Sequence, residues 1–337
     1  MAKETGSIQA RREPWIKTYL RTNGGILIAL AVLLLVMTVT RGSIFWTTLN
    51  MKSLLMTVTT TSLLGLGMTV LLISGYIDLS PGSTYCLCAV WICKMITDWG
   101  CNFYVALIGT LILGALTGVL TGTVITKTGM PAFIVTLAMD GVKRGIAYLI
   151  SGDKLKIYCT DPTFKSFGMG YFLGLPISLF IIAGACIIVA IILNRTVTGR
   201  HLYATGGNQQ AAVNAGVNVK KMCIISYVIM GVLGAIAGII SAAKTTTGNP
   251  TIGTDVMSDA VASAVLGGTA FSGGKGTVMG TVTGVILIGV VLNGMNLLQI
   301  NYYWQMLFKG LLILFAVYID TVKSRNSGKL RLRKAAG

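Results

Sequence analysis

Side chains able to do chemistry are scarce in this chain: ten carboxylates and a single histidine, His201, among 337 residues. No nucleophile–histidine arrangement is available inside the apolar stretches, because His201 lies outside them. The seven cysteines (Cys86, Cys88, Cys93, Cys101, Cys159, Cys186, Cys223) mostly sit in apolar runs and form no CxxC pair. They read as small buried hydrophobes, and no metal site is expected. Charged groups within apolar stretches are more informative, since such charge is costly and is usually paired or functional. Asp140 and Arg144, four residues apart and flanking Lys143, can face one another on a helix as a structural ion pair, with a proton relay as the competing role. Asp255 and Asp259, also four apart, offer acceptors to a polar solute. Asp78 and Ser80 lie in a turn-rich stretch from Gly75 to Ser83, and Gly267 and Gly268 open a second one that runs to Gly276. Both stretches are candidates for re-entrant or gating structure, short capped turns being the alternative. The second resembles a phosphate-binding loop, but the G-x-x-x-x-G-K-S/T pattern ending at Lys275 needs glycine at Thr269 and a hydroxyl at Gly276, and neither is present. The chain shows no catalytic constellation and no nucleotide site of its own.

The elements that position these residues are apolar. The chain is 54% hydrophobic and 11% charged, with a mean hydropathy of +0.77, whereas soluble domains are about a quarter charged. The fold class expected is therefore an all-α integral membrane protein. A spanning helix takes about 20 apolar residues, which places ten spans near 24–40, 53–74, 82–97, 103–126, 131–150, 172–193, 223–243, 257–271, 277–297 and 303–319, the third and eighth being weakest. The net charge of +17 is explained by topology rather than by nucleic acid. With the N-terminus inside, the cytoplasmic segments carry 17 of the 27 basic residues and the outer ones 6, so the positive-inside rule puts both termini in the cytoplasm. The first apolar run, Gly24 to Thr40, is too long for a signal core and is followed by no small-x-small site, so it is expected to stay as an anchor.

All six prolines fall at or outside the span borders, where no helical hydrogen bond is lost. Glycine is instead placed at four-residue spacing, Gly114, Gly118 and Gly122 in the fourth span and Gly276, Gly280 and Gly284 entering the ninth. Such faces let helix backbones approach closely in lipid. The two ladders lie five spans apart, and each precedes a span with a basic residue followed by glycine, Arg144-Gly145 and Lys309-Gly310. An odd offset inverts orientation, so spans two to five and seven to ten read as inverted halves around a central site.

One segment, Asn194 to Met222, is not apolar. Asn208 as N-cap and Gly216 at C′ bracket a short helix. A helix so short needs a surface to rest on, and Ala211, Ala212 and Ala215 provide a small face for a groove on a partner protein, a connector packed on its own bundle being the alternative. The boundaries follow: 1–23 a cytoplasmic N-terminal segment, 24–193 a first membrane half, 194–222 the cytoplasmic segment, 223–319 a second membrane half and 320–337 a basic tail.

The run from Gly199-Arg200-His201-Leu202-Tyr203 through Gly206-Gly207-Asn208 to Ala211-Ala212, followed by Ala215-Gly216-Val217-Asn218-Val219, closely resembles the cytoplasmic segment of ribose/galactose-type ABC-transporter permeases. Ile77-Asp78-Leu79-Ser80, Gly267-Gly268-Thr269 with Ser272-Gly273-Gly274, and Trp304-Gln305 then Lys309-Gly310 extend the resemblance in order from about residue 45 to 320. It implies the membrane subunit of a bacterial importer in the cytoplasmic membrane, two copies forming a path for a monosaccharide. An ABC ATPase holding ATP-Mg docks below each copy, and an extracytoplasmic solute-binding protein delivers the sugar. Arg200, Tyr203, Gly206, Gly207, Asn208, Ala211, Ala212 and Gly216 would then form the coupling segment, and Asp78, Ser80, Asp255, Asp259, Gly267 and Gly268 the pathway or gate. The sequence departs from that pattern at Tyr76 and Pro81, at Ala138-Met139-Asp140 and at Asp255-Val256-Met257-Ser258-Asp259. The alternative function is a proton-coupled secondary sugar carrier working through Asp140 or Asp259.

Overall fold

The computed structural model describes residues 15–152, 155–315 and 317–318. The start of the N-terminal segment and the basic tail lie outside the described residues. Twelve helices run in order: α1 (Trp15–Phe45), α2 (Thr48–Ile73), α3 (Pro81–Thr97), α4 (Phe103–Thr128), α5 (Ala132–Ser151), α6 (Pro162–Met169), α7 (Ile177–Arg195), α8 (Val197–Gly207), α9 (Gln209–Asn214), α10 (Val219–Thr245), α11 (Val256–Leu266) and α12 (Val278–Leu297). A further helix, α13, covers residues 302–315.

Their borders follow from capping and proline chemistry. Asn102 caps α4 by accepting from the Tyr104 amide, and Gly129 ends it with φ +71°, a left-handed conformation open to glycine. Pro81 and Pro162 occupy first-turn positions of α3 and α6, where a missing N–H costs nothing. The sixth expected span starts late, at Ile177, because residues 171–176 form a two-strand hairpin, β2 (Tyr171–Phe172) with β3 (Leu175–Pro176), turning through Leu173 and Gly174. A second ladder joins β1 (Ile157–Tyr158) to β4 (Thr247–Gly248).

Six helices are long and apolar enough to cross a membrane: Gly24–Phe45 within α1, then α2, α4, α7, α10 and α12. The eighth expected span is shorter than its apolar run. α11 ends at Leu266, and its 11 residues rise only about 16 Å, half of a hydrocarbon core of about 30 Å. The glycines that follow are turn, not helix.

The core is built on α2 and α10. From Leu63 to Leu72 the large apolar side chains of α2 are almost fully buried. Helices α4 and α5, by contrast, turn theirs outward: Ile108, Leu116, Leu137 and Leu149 are exposed. An apolar surface that extensive suits lipid, not water. The two halves exchange partners: α10 packs on α3 and α4 of the first half, and α2 packs on α11 and α12 of the second.

Both glycine ladders are packed faces. A Cβ on Gly118 would lie 2.3 Å from the Tyr227 carbonyl oxygen, and one on Gly284 2.2 Å from the Ser263 oxygen. The ladders differ in partner, however. Gly114, Gly118 and Gly122 meet α10 across the halves, whereas Gly280 and Gly284 meet the end of α11 and Gly267 within one half; Gly276, just before α12, rests on Thr269 and Ile73. The expected cysteine behaviour is seen too, with Cys86, Cys88, Cys93, Cys159 and Cys223 buried and all seven thiols unbridged.

Candidate functional site

Three backbones converge where the non-apolar segment meets the bundle. The side chain of Asn208 accepts from the Ala211 amide at 3.0 Å and starts α9. Gly216, at φ +82°, closes the short helix as its position requires. The preceding helix, α8, ends in Gly206-Gly207, and its last turn presses against the ends of α2 and the Gly267–Gly276 segment. A Cβ on Gly206 would stand 1.9 Å from the Ile73 oxygen and 2.8 Å from the Gly274 nitrogen. Only glycine fits there. Gly273 (φ +89°) and Gly274 (φ +71°) curl the loop so that the Gly274 amide donates to the Ile73 oxygen at 2.9 Å. Tyr203 adds a side-chain strut, its hydroxyl donating to the Gly276 oxygen at 2.8 Å. Burial raises the pKa of that hydroxyl above its ordinary value, so it stays a donor.

The face of α9 differs from its expected form. Ala212 is 3% exposed and packs inward, while Ala211 and Ala215 are exposed and Val213 is 50% exposed. Ala212 therefore anchors the helix, and the outward surface consists of Gln209, Gln210, Ala211, Val213 and Asn214. Arg200 and Gly207 are also exposed.

From the same junction the chain passes into the break before α3. Gly75 (φ +80°) turns it, and the Tyr76 ring lies tilted at 55° beside that of Tyr227, with centroids 6.3 Å apart. The Tyr227 hydroxyl donates to the Ile77 oxygen at 2.7 Å. Asp78, 3% exposed, accepts from the Ser80 amide at 2.7 Å and from its hydroxyl at 2.6 Å. Lys143 of α5, likewise 3% exposed, donates to Ser80 Oγ at 2.8 Å and Thr84 Oγ1 at 3.0 Å. One hydroxyl thus links a buried ammonium to a buried carboxylate, which satisfies the demand that buried charge be paired. No local spacing points to this partner for Lys143, because Ser80 is 63 positions away. Its neighbour Arg144 holds Asp140 at 3.8 Å and donates to the Pro250 and Ile252 oxygens at 3.2 Å each. The expected ion pair is present, and it also ties α5 to the break before α11.

The acids of the second half are likewise engaged. Asp259 forms an ion pair with Lys309 at 3.0 Å, and Asp255 accepts from the Tyr302 hydroxyl. Gly267 packs on α12 through Gly280 and Thr281, and Gly268 turns at φ +83°. Among the described residues no group of three or more metal-ligating side chains gathers.

A bundle of apolar helices, with the end of α8 wedged at Gly206 against the bundle's glycine loops, has the build of a membrane permease. The comparisons agree: residues 50–317 match the family described as branched-chain amino acid transport system / permease component, and the chain belongs to it. It is a multi-pass membrane transport subunit. Among similar proteins, the ribose import permease of Bacillus subtilis (strain 168) is 37% identical over 89% of this chain and 93% of its own. The D-allose transport system permease of Escherichia coli (strain K12) is 32% identical, covering 83% and 86%. The L-arabinose transport system permease of the same organism is 35% identical, covering 89% and 91%. No solved structure matches the chain significantly.

Proposed function

We propose that this chain forms the translocation path of an ATP-driven importer of a monosaccharide, in the bacterial inner membrane. The observation that carries the reading is the junction of Gly206, Ile73 and Gly274. A force applied to α9 passes through rigid backbone contact into the end of α2 and the loop before α12, and so to both halves at once. The energy enters with a separate ABC ATPase that holds ATP-Mg and docks on the exposed face of α9. A solute-binding protein supplies the sugar from outside. Ten membrane passages, cytoplasmic termini and two inverted halves complete the picture; the exchange of partners between α10 with α3 and α4, and α2 with α11 and α12, supports the halves.

Two copies enclose the path. Gly141 and Gly145 on α5 and Gly310 on α13 face open space, beside the partly exposed pairs Asp140–Arg144 and Asp259–Lys309. Charge at membrane depth faces a cavity or protein, not lipid, so these surfaces line the path between copies. A sugar suits it better than an amino acid, whose two charges need free partners, because Arg144 and Lys309 are already held by acids. The sugar-permease relatives, matched along most of their length, support the same choice.

The test is association with the ATPase. Val213→Glu, at a half-exposed site on α9, is expected to abolish co-purification of the ATPase while membrane insertion is kept. Full co-purification by that variant would refute docking on α9.

A further inference from the structure

The sequence patterns Trp304-Gln305 and Asp255-Val256-Met257-Ser258 lie far apart in the chain, and the fold brings them to one hollow. Between α11 and α13 a cavity of about 120 Å³ is lined by Asp255, Ser258, Tyr302, Gln305 and Lys309. Each contributes in a different way. Asp255 uses Oδ2 to accept from Tyr302, and among the described residues its Oδ1 has no hydrogen-bond partner. Gln305 spends its amide N–H groups on Asn296 Oδ1 and the Ile300 oxygen, both at 2.9 Å, which fixes the amide orientation and leaves Oε1 as a free acceptor. Ser258 Oγ makes no hydrogen bond among the described residues. Lys309 is turned to Asp259 at 3.0 Å, so that pair is neutral as a unit. The hollow carries one uncompensated negative charge, from Asp255.

We infer that this hollow is a sugar-binding way-station on the outer part of the path, specific for an unphosphorylated monosaccharide. A carboxylate oxygen, an amide oxygen and a hydroxyl, all on the backbone-supported ends of α11 and α13, match a rim of sugar hydroxyls. The ring of Tyr302, 53% exposed, offers an apolar surface to the C–H face of the sugar. The lone charge of Asp255 repels a phosphate ester. The hollow is smaller than a ligand pocket of about 300 Å³ or more, so the sugar is held on one side only. Weak, partial holding is what a transit site needs: a solute bound too tightly would not leave. The assignment rests on the import reading above, and it names residues that choose among sugars.

The experiment uses proteoliposomes carrying the complete complex of this permease with its ATPase and binding protein. D-ribose, L-arabinose and D-allose, each labelled, are the probes. Ser258→Cys is a small change at a partly exposed site, and its modification by a membrane-impermeant methanethiosulfonate reports access to the hollow. The transported sugar is expected to slow that modification several-fold, while L-glucose does not. Gln305→Leu is expected to change the ratio of uptake among the three sugars. Modification untouched by a sugar that is actively transported, with the Gln305→Leu ratios unchanged, would overturn the way-station and leave the importer standing. Absence of uptake of all three sugars by the wild-type complex would overturn both.

Discussion

Removing one end of the Asp78–Ser80–Lys143 chain should cost more than removing both. Asp78 and Lys143 are each 3% exposed, so neither can recruit bulk water when its counterpart is lost. Lys143→Met leaves a buried carboxylate with only the Ser80 amide and hydroxyl as donors. Asp78→Asn leaves a buried ammonium with only the hydroxyls of Ser80 and Thr84, at 2.8 and 3.0 Å. Breaking a buried pair in this way costs about 3–5 kcal/mol. The remaining hydrogen bonds place each single variant near the lower figure. Asp78→Asn combined with Lys143→Met leaves no charge, and replacing both members of such a pair is close to neutral. The coupling energy across the cycle, the double loss minus the sum of the two single losses, is therefore about 6 kcal/mol in magnitude. At roughly 2 °C per kcal/mol for a chain of this size, each single variant melts about 6 °C lower in nanodiscs, and the double variant returns most of the way. Additive losses, with the double variant the least stable, would refute the reasoning that these two charges answer one another.

Three further outcomes follow from the geometry. Gly206→Ala, whose methyl would stand 1.9 Å from the Ile73 oxygen, is expected to abolish ATP-driven uptake by the reconstituted complex while the protein still inserts; normal uptake would remove the junction as the route of force. Gly118→Leu, against backbone at 2.3 Å, should lower thermal stability in detergent, whereas Gly184→Leu on α7, with no atom within 4 Å, should leave it unchanged. Equal stability of the two variants would count against the ladder as a packed face. Ala212→Glu should misplace α9 as well as lose the ATPase, and Val213→Glu should lose the ATPase alone; limited proteolysis between residues 207 and 218 separates the two, since only the first is expected to become sensitive there.

Helix borders were legible because local chemistry sets them. Asn208 and Gly216 cap α9, Pro81 starts α3, and the four-residue spacing of Gly114, Gly118 and Gly122 marked a face that α10 covers. The apolar run 257–271 was longer than its helix, because hydropathy does not register that Gly267 and Gly268 end a helix against α12. The three-alanine face on α9 divided for a similar reason: composition marks small residues, but only the packing of α9 on the bundle decides that Ala212 turns inward. The turn marks Asp78 and Ser80, whereas nothing local marks Lys143 and Tyr227 as supports of that turn or Tyr203 as a strut on Gly276. Those contacts join distant segments, and no spacing within one element encodes them.

On the importer reading, this chain moves solute only when α9 is driven by an ATPase. The direct measurement is uptake of labelled D-ribose, L-arabinose and D-allose into proteoliposomes holding the chain alone or with its ATPase and binding protein, with and without ATP. Uptake is expected only when every component and ATP are present. Uptake by the chain alone down a proton gradient would contradict it and would make the paired acids Asp140 and Asp259 the place to look next.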